Sequence, residues 1–406
     1  MKKTDEKGSW ILAGILLLAG VFCADVLWSA PSPILGEIML DLSLSLAMGG
    51  MIMSVIMLIY SAATFGTALL ERRIPAKYLF FAGLVFLSAG QLLFVFASGL
   101  TEVLIFRAMT GIGMGILAPV YAILVMDNIP ESKRPLINTL YAGLPYAAMF
   151  ISVYSIVFAY QLSDGSWRKA LSLLGLPVSL TAMLFLRFLR SMNSAKKSDG
   201  ERKRGMLAEV SHMREVRLLL LADSCDMWGY TFLSSFLPTF LREEAGMTMT
   251  QASTATSVFP IMGVVGCIAG GVLMIRVGLR KPFTWPMHLM IFAGTLITVL
   301  SSGPLRILGI ALAGFGNAAW APALYTMPME FDGIDAEKAG AIFSFVFGIG
   351  YIAGFLSALA GGWIGDHFGL RTAFIINSLF AVIAAAATLS MKETGKRKKR
   401  KKRTAP

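Results

Sequence analysis

Hydrophobic residues in this chain come in long unbroken blocks rather than in the alternating pattern of strands or the narrow stripe of soluble helices. The first block runs from Trp10 to Leu35. Others follow near residues 46–70, 78–98, 103–126, 139–160, 168–188, 216–240, 251–275, 283–302, 305–328, 339–361 and 371–391. About 20 consecutive apolar residues cross the hydrocarbon of a bilayer as a helix. Only helices and closed barrels can satisfy the backbone there. The pattern therefore predicts an all-α membrane protein of twelve transmembrane helices. One long polar break, residues 191–215, contains K-K-S-D-G-E-R-K-R and reads as a linker with a short amphipathic helix from about Met206. The expected organisation is a six-helix bundle over 1–190, the linker 191–215, a second six-helix bundle over 216–391 and a basic tail over 392–406.

The fourth block holds R-A-M-T-G-I-G-M-G-I-L-A-P, Arg107 to Pro119. Its closely spaced glycines remove side chains where another helix can approach. Its arginine sits inside the apolar run, where a charge costs roughly 2.5–3.5 kcal/mol. The same stretch recurs as G-F-G-N-A-A-W-A-P, so that Gly111, Gly113, Ala118 and Pro119 map onto Gly314, Gly316, Ala321 and Pro322. Gly66, Leu69, Arg72 and Lys77 map in order onto Gly270, Leu273, Arg276 and Lys281, and Gly143, Tyr146, Ala148 and Phe150 onto Gly348, Tyr351, Ala353 and Phe355. The chain is two copies of one unit, as in many transporters, and the two bundles are expected to be pseudo-symmetric.

Composition sharpens the class. The chain is 56% hydrophobic and 15% charged, with 40 glycines and a mean hydropathy of +0.69, far from a soluble domain. A net charge of +12 invites a nucleic-acid reading, but the basic residues lie between apolar blocks and in one tail, not on a folded basic face. All of the 36 basic residues except Arg107, Arg168, Lys169, Arg242, Arg306 and Arg371 fall on one side of the predicted membrane. Lys and Arg accumulate on the cytoplasmic side, so both termini are expected in the cytoplasm of a cell membrane. The tail K-R-K-K-R-K-K-R is a solvated end that touches anionic lipid. Lys2 and Lys3 before the first block resemble a cleaved leader, but Phe22 before Cys23 is too bulky for a lipoprotein cleavage site. The first helix is expected to stay.

Chemistry-bearing signals are sparse. Cys23, Cys225 and Cys267 sit in apolar blocks and suggest no disulfide framework. His212, His288 and His367 show no metal-ligand spacing. No phosphate-binding loop or nucleophile motif appears, so neither an enzyme, a metal site nor a cofactor is expected. Three acids lie inside the blocks: Asp25, Asp223 and Asp226. Ionised and unpaired, they would cost roughly 8–10 kcal/mol together. The strings C-A-D-V-L-W and S-C-D-M-W place Asp25 and Asp226 at related points of the two copies. Asp223 and Asp226, three apart, share a helix face.

The motifs resemble the major facilitator superfamily over essentially the whole length, and the twelve-helix bacterial and archaeal members in particular. R-A-M-T-G-I-G-M-G looks like the family's arginine-plus-glycine motif. L-L-E-R-R-I-P-A-K looks like a degraded copy of its G-x-L-x-D-R-x-G-R-K loop signature, with Glu71 at the acidic position, Arg72 after it, and the second glycine lost to Ile74. G-V-L-M-I-R-V-G-L-R-K keeps Gly271, Arg276, Gly278, Arg280 and Lys281, with Ile275 in place of the acid. W-R-K-A at Trp167–Ala170 also fits the family. Y-T-M-P-M-E-F and the run from Ala339 to Phe355 look like cyanate- and nitrate-type branches, yet the buried arginines expected of nitrate carriers on the second and eighth helices are missing. A-G-L-P-Y-A-A-M-F only hints at the exchangers' glycine-proline motif.

The resemblance implies a secondary transporter that moves a small organic solute by alternating access, with the first, fourth, seventh and tenth helices lining the cavity. Coupling to protons is expected through Asp226 and Asp223. Substrate binding or gating would fall to Asp25, Arg107, Tyr121, Tyr146, Trp228, Tyr230, Asn317, Trp320, Tyr325 and Tyr351. Glu71, Arg72 and Arg276 would form a cytoplasmic gate. Arg107 could pair with Asp25, bind an anionic group, or snorkel to the headgroups; the acids and aromatics could equally be packing contacts. His288 and Gln91, on helices peripheral in this fold, read as structural. An organic-anion symporter or facilitator is the alternative within transport, and a transporter-shaped sensor or lipid-handling protein the alternative outside it. The partners expected are a small molecule, protons and lipid, not nucleic acid, with the protein acting as a monomer.

The orientation is tested by labelling. With Cys23, Cys225 and Cys267 replaced by serine, a cysteine introduced within 191–215 should react with a membrane-impermeant maleimide in inside-out vesicles but not in intact cells. Labelling from outside intact cells would reverse the topology.

Overall fold

The computed structural model describes residues 2–70, 73–130, 133–190, 192, 206–334 and 336–395, and among them every regular element is a helix. In order they are α1 (Lys2–Ser29), α2 (Leu35–Asp41), α3 (Leu46–Leu70), α4 (Ala76–Leu92), α5 (Leu100–Asn128), α6 (Arg134–Leu162), α7 (Trp167–Leu173), α8 (Gly175–Phe188), α9 (Met206–Ser211), α10 (Arg214–Glu243), α11 (Met249–Val277), α12 (Trp285–Leu300), α13 (Gly303–Ala319), α14 (Ala321–Thr326), α15 (Ala336–Phe368) and α16 (Leu370–Ser390). The short α9 begins where the linker helix was expected. Residues Glu71 and Arg72, most of the linker and the end of the tail lie outside the described residues.

Among the described residues, eleven spans are long and apolar enough to cross a membrane, one fewer than the twelve expected. The run missing from that set is 216–240. It is nevertheless one continuous helix, the 30-residue α10. Asp223, Asp226 and a series of serines and threonines lower its apolar character without breaking its backbone hydrogen bonding. Large apolar side chains such as Phe96, Phe158 and Ile275 are exposed. In a chain of this composition that is the signature of a lipid-facing surface.

The described chain forms two compact units. One comprises Met1–Arg202, Thr231–Pro260 and Gly354–Ala373; the other comprises Lys203–Tyr230, Ile261–Ala353 and Phe374–Pro406. In the first, α5 packs against both α3 and α4; in the second, α13 packs against α12. Both packings depend on glycine at mapped positions. A Cβ on Gly113 would come within 2.7 Å of the Gly83 carbonyl oxygen, and one on Gly316 within 2.7 Å of the Met287 carbonyl oxygen. The internal repeat thus extends to backbone-to-backbone contact.

The mapped prolines behave differently. Pro119 lies inside an unbroken α5, whereas the helix holding Pro322 is interrupted at Trp320, with α14 starting one residue later. Proline lacks an N–H and crowds the carbonyl four residues back. In α5 the helix absorbs this; at Trp320 it separates α13 from α14 and turns a large indole into the core, 1% exposed. Turn chemistry marks another family position. α11 stops at Val277 because Gly278 takes φ +73°, a left-handed conformation that glycine adopts without a steric penalty.

Within the first unit, segments from both sequence halves are tied at the helix ends opposite the Lys/Arg-rich loops. Arg242 pairs with Glu37 at 2.6 Å. The Ser32 hydroxyl donates to the Ser234 carbonyl at 2.7 Å. Asp366 accepts from the backbone N–H groups of Leu46 and Ala47 at 2.6 and 2.9 Å, so a carboxylate satisfies donors left free in the first turn of α3. Arg371 pairs with Glu244 at 3.4 Å.

The close approach predicts a stability effect. Gly316→Leu should lower stability by about 1–3 kcal/mol, the usual cost of overpacking, read as an earlier thermal transition in detergent. Gly143→Ala, where a Cβ meets nothing within 4 Å, should leave the transition unchanged or raise it slightly.

Candidate functional site

The buried polar groups of the second unit converge on one place. Asp223 and Asp226 lie one turn apart on α10, at 0% and 5% exposure, and His288 on α12 is at 0%. His288 Nδ1 stands 3.7 Å from an Asp226 carboxylate oxygen. Its ring packs against Trp320 with centroids 4.6 Å apart. Asn317 of α13 directs its amide N–H toward both Asp226 oxygens at 3.5 and 3.4 Å, long contacts at the edge of hydrogen-bonding range. Asp223 points at the backbone of α15, where a Cβ on Gly350 would collide with its carboxylate. Neither Asp223 oxygen has a hydrogen-bond partner, and neither ring nitrogen of His288 does. An unsatisfied buried polar atom costs about 1–3 kcal/mol. Several together mark a site that is not arranged for stability alone.

Of the expected site residues, the structure brings together Asp223, Asp226, Asn317 and Trp320. It adds His288, which the sequence placed at the periphery. The available signal was the histidine itself: a polar ring inside an otherwise apolar membrane run needs a reason. Tyr325 on α14 is exposed and packs at a tilt against Phe343 and Phe347 of α15. Trp228 is turned to α16, with its indole N–H donating to Asn377 at 2.7 Å and its ring stacked on Phe380 at 4.5 Å. Tyr230 and Tyr351 are half-buried in the same unit or at its boundary.

Arg107, in the first unit, is 1% exposed and directs four of its five N–H donors at backbone carbonyls. Nε donates to the Ile52 carbonyl at 3.0 Å, Nη1 to Leu27 at 2.8 Å, and Nη2 to Trp28 at 3.0 Å and Met53 at 3.3 Å. The planar guanidinium thus fastens α5 to α1 and α3 through their carbonyls. Asp25 is not among its partners, so the pairing considered from sequence is not formed; one Asp25 oxygen is buried without a hydrogen bond. Tyr121 stacks on Tyr141 at 4.3 Å, and its hydroxyl donates to the Ile137 carbonyl at 3.4 Å. Tyr146 is half-buried in α6.

Glu71 and Arg72 of the expected gate lie outside the described residues, and Arg276 is exposed in the last turn of α11. Four residues on, Arg280 makes the ion pair of that loop, with Nη2 2.7 Å and Nε 3.1 Å from the two Glu330 oxygens. The Glu330 carboxylate raises the pKa of this guanidinium above its ordinary value. Glu393 accepts from the backbone N–H groups of Arg280 and Lys281 at 2.7 and 3.1 Å.

The description Major Facilitator Superfamily belongs to the family whose profile matches residues 17–358 and, in a second match, 219–406. The chain is 26% identical over 421 aligned positions to a gallate transporter of Pseudomonas putida, covering 93% of this chain and 89% of that protein. It is 22% identical over 382 positions to a hexuronate transporter of Bacillus subtilis (strain 168), covering 86% of each. Among solved structures, a bacterial homolog of the human lysosomal transporter Spinster, crystallised inward-facing and unoccupied, matches with a TM-score of 0.81 at 15% identity, covering 96% of this chain and 97% of that one. That identity carries the fold alone.

The Arg107 geometry separates two roles by mutation. Lysine keeps the charge but not the planar fork that reaches four carbonyls. Arg107→Lys should therefore lower the thermal transition, with transport falling in step with the amount of folded protein. A variant of wild-type stability with weakened substrate affinity would assign Arg107 to substrate instead.

Proposed function

Because the chain belongs to the Major Facilitator Superfamily and is a multi-pass membrane transporter, we propose that it moves a small organic solute across the cytoplasmic membrane by alternating access coupled to protons. The observation that carries this reading is the pair of buried acids on α10, Asp223 with both oxygens unpartnered and Asp226 held by long contacts from Asn317 and by the Trp320 indole. Two carboxylates one turn apart in a low-dielectric site resist simultaneous ionisation. They can take up and release a proton as a unit. The Asp223/Asp226 pair is assigned the coupling proton, and Asn317 and Trp320 shape the cavity wall beside it. Asp25, on the first helix of the other sequence half, is assigned substrate pairing or gating. Glu71, Arg72 and Arg276 are assigned to the cytoplasmic gate, with both termini in the cytoplasm, the basic tail on anionic lipid and the protein working as a monomer.

A second reading concerns the cargo. The two relatives described above carry names of organic acid anions, gallate and hexuronate, which favours an organic-acid symporter over a carrier of cations. An anion entering with a proton brings no net charge past the buried carboxylates, so the two readings share one coupling site.

A thermal-stabilisation screen of the purified protein at two pH values, using organic acids, organic cations and zwitterions, identifies the cargo class. In proteoliposomes with an imposed pH gradient, the stabilising solute should accumulate. Asp226→Asn should abolish that accumulation while sparing counterflow, which needs no net proton movement; Asp25→Asn should impair both. Wild-type accumulation and pH dependence in Asp226→Asn would remove these acids from the coupling mechanism.

A further inference from the structure

His288 stands outside the assignment just made, yet its surroundings are unusual for a packing residue. It is fully buried, neither ring nitrogen has a hydrogen-bond partner, and its ring packs against Trp320 at a tilt of 57°. The nearest charged atom is Asp226 Oδ1, 3.7 Å from Nδ1. An imidazole always carries at least one N–H and offers a second nitrogen as acceptor when neutral. A histidine that only filled space would leave both functions uncompensated. A small approach of α10 to α12 closes the gap to hydrogen-bond length.

We propose that His288 and Asp226 together hold the coupling proton, with His288 Nδ1 as the second seat. The step is a single proton transfer. The O–H bond of the Asp226 carboxylic acid breaks, an N–H bond forms at His288 Nδ1, and a carboxylate beside an imidazolium results; no other bond changes, and total charge is conserved. The two arrangements contain the same number of protons, so the pair titrates as one coupled system. Trp320 packs against the imidazole with ring centroids 4.6 Å apart, and an aromatic neighbour suits the ring in its cationic form. That contact forms where the helix is interrupted at Trp320.

The other titratable groups near the pair are few. On α10 they are Asp223 and Cys225. Tyr325 of α14 and Cys267 of α11 lie on the Asp223 side. Between Ala341 and Ala353, α15 carries Tyr351 as its one titratable side chain. Arg306, at the start of α13, is engaged with the Thr298 carbonyl at 3.1 Å. Asp223 is therefore the acid positioned to receive the proton next.

The inference rests on the proton-coupling reading, and the test separates the two without a substrate. The probe is the proton itself, followed by infrared difference spectroscopy during pH titration of the purified full-length protein. His212→Gln and His367→Gln leave His288 as the one histidine, isotopically labelled to identify its ring bands. Asp226→Asn identifies the Asp226 carboxyl band. The ring and carboxyl bands should change together, and in His288→Gln the Asp226 transition should move by about one pH unit or more, a tenfold change in proton affinity. If the ring bands stay constant while Asp226 titrates, or if Asp226 titrates at the same pH in a normally melting His288→Gln, His288 is a packing residue and the inference falls alone. If Asp226 does not titrate at all, the proton-coupling reading falls and takes the pair with it. The ring-band measurement keeps histidine in place, so it stands even where His288→Gln folds poorly.

Discussion

A polar group inside a membrane has no water to fall back on, so each one must find a partner in the protein or remain at a cost. The five arginines of this chain that fall away from its Lys/Arg-rich side show how the demand is met. Arg107 is held by four carbonyls, Arg306 by the Thr298 carbonyl, and Arg242 and Arg371 by Glu37 and Glu244. Arg168 bonds Asp41 at 2.7 Å and the Ala97 carbonyl at 2.5 Å. Against that background the buried ionisable groups left without hydrogen bonds, among the described residues, stand out: Asp223, His288 and one oxygen of Asp25. A structure able to satisfy a guanidinium at the core of α5 has not satisfied these, which fits groups whose protonation or partner changes during a transport cycle.

The repeated unit provides the scaffold on which that difference is drawn. Both copies use glycine at the same mapped position to bring two helix backbones into contact, Gly113 against α4 and Gly316 against α12. The copies then diverge at the mapped proline. In the first, α5 runs on past Pro119, and its polar investment is the arginine staple. In the second, the helix is interrupted at Trp320, and the indole packs against His288 beside Asp226. One repeated helix pattern thus carries an arginine staple in one copy and a buried acidic cluster in the other.

Charge sets the terms for cargo. The cluster in the second unit is acidic with one imidazole, and the nearby arginines are engaged elsewhere. A cationic or zwitterionic solute would meet ionised carboxylates directly, whereas an organic acid requires them to be protonated or displaced from its path. Under the proton coupling proposed above, a proton bound at these acids neutralises the site before an organic acid passes it.

Much of this molecule was legible in its sequence. Apolar blocks of bilayer length gave the helical class and nearly all of the spans, and α10, the one that falls short of the apolar criterion, does so because of the acids that mark it as special. The glycine repeat foretold close helix contacts, and the two aspartates on one face of α10 were visible from their spacing. What the sequence did not reveal was partner choice. Arg107 and Asp25 looked suited to each other, yet the guanidinium turned to backbone carbonyls, which carry no sequence identity. His288 looked peripheral because its block number suggested so. The physical reason is that a helix apolar on all sides carries no stripe to show which face it presents inward. Its rotation is fixed only when small residues on neighbouring helices, often far away in the chain, let the backbones close. Only that tertiary packing decided which polar side chains meet.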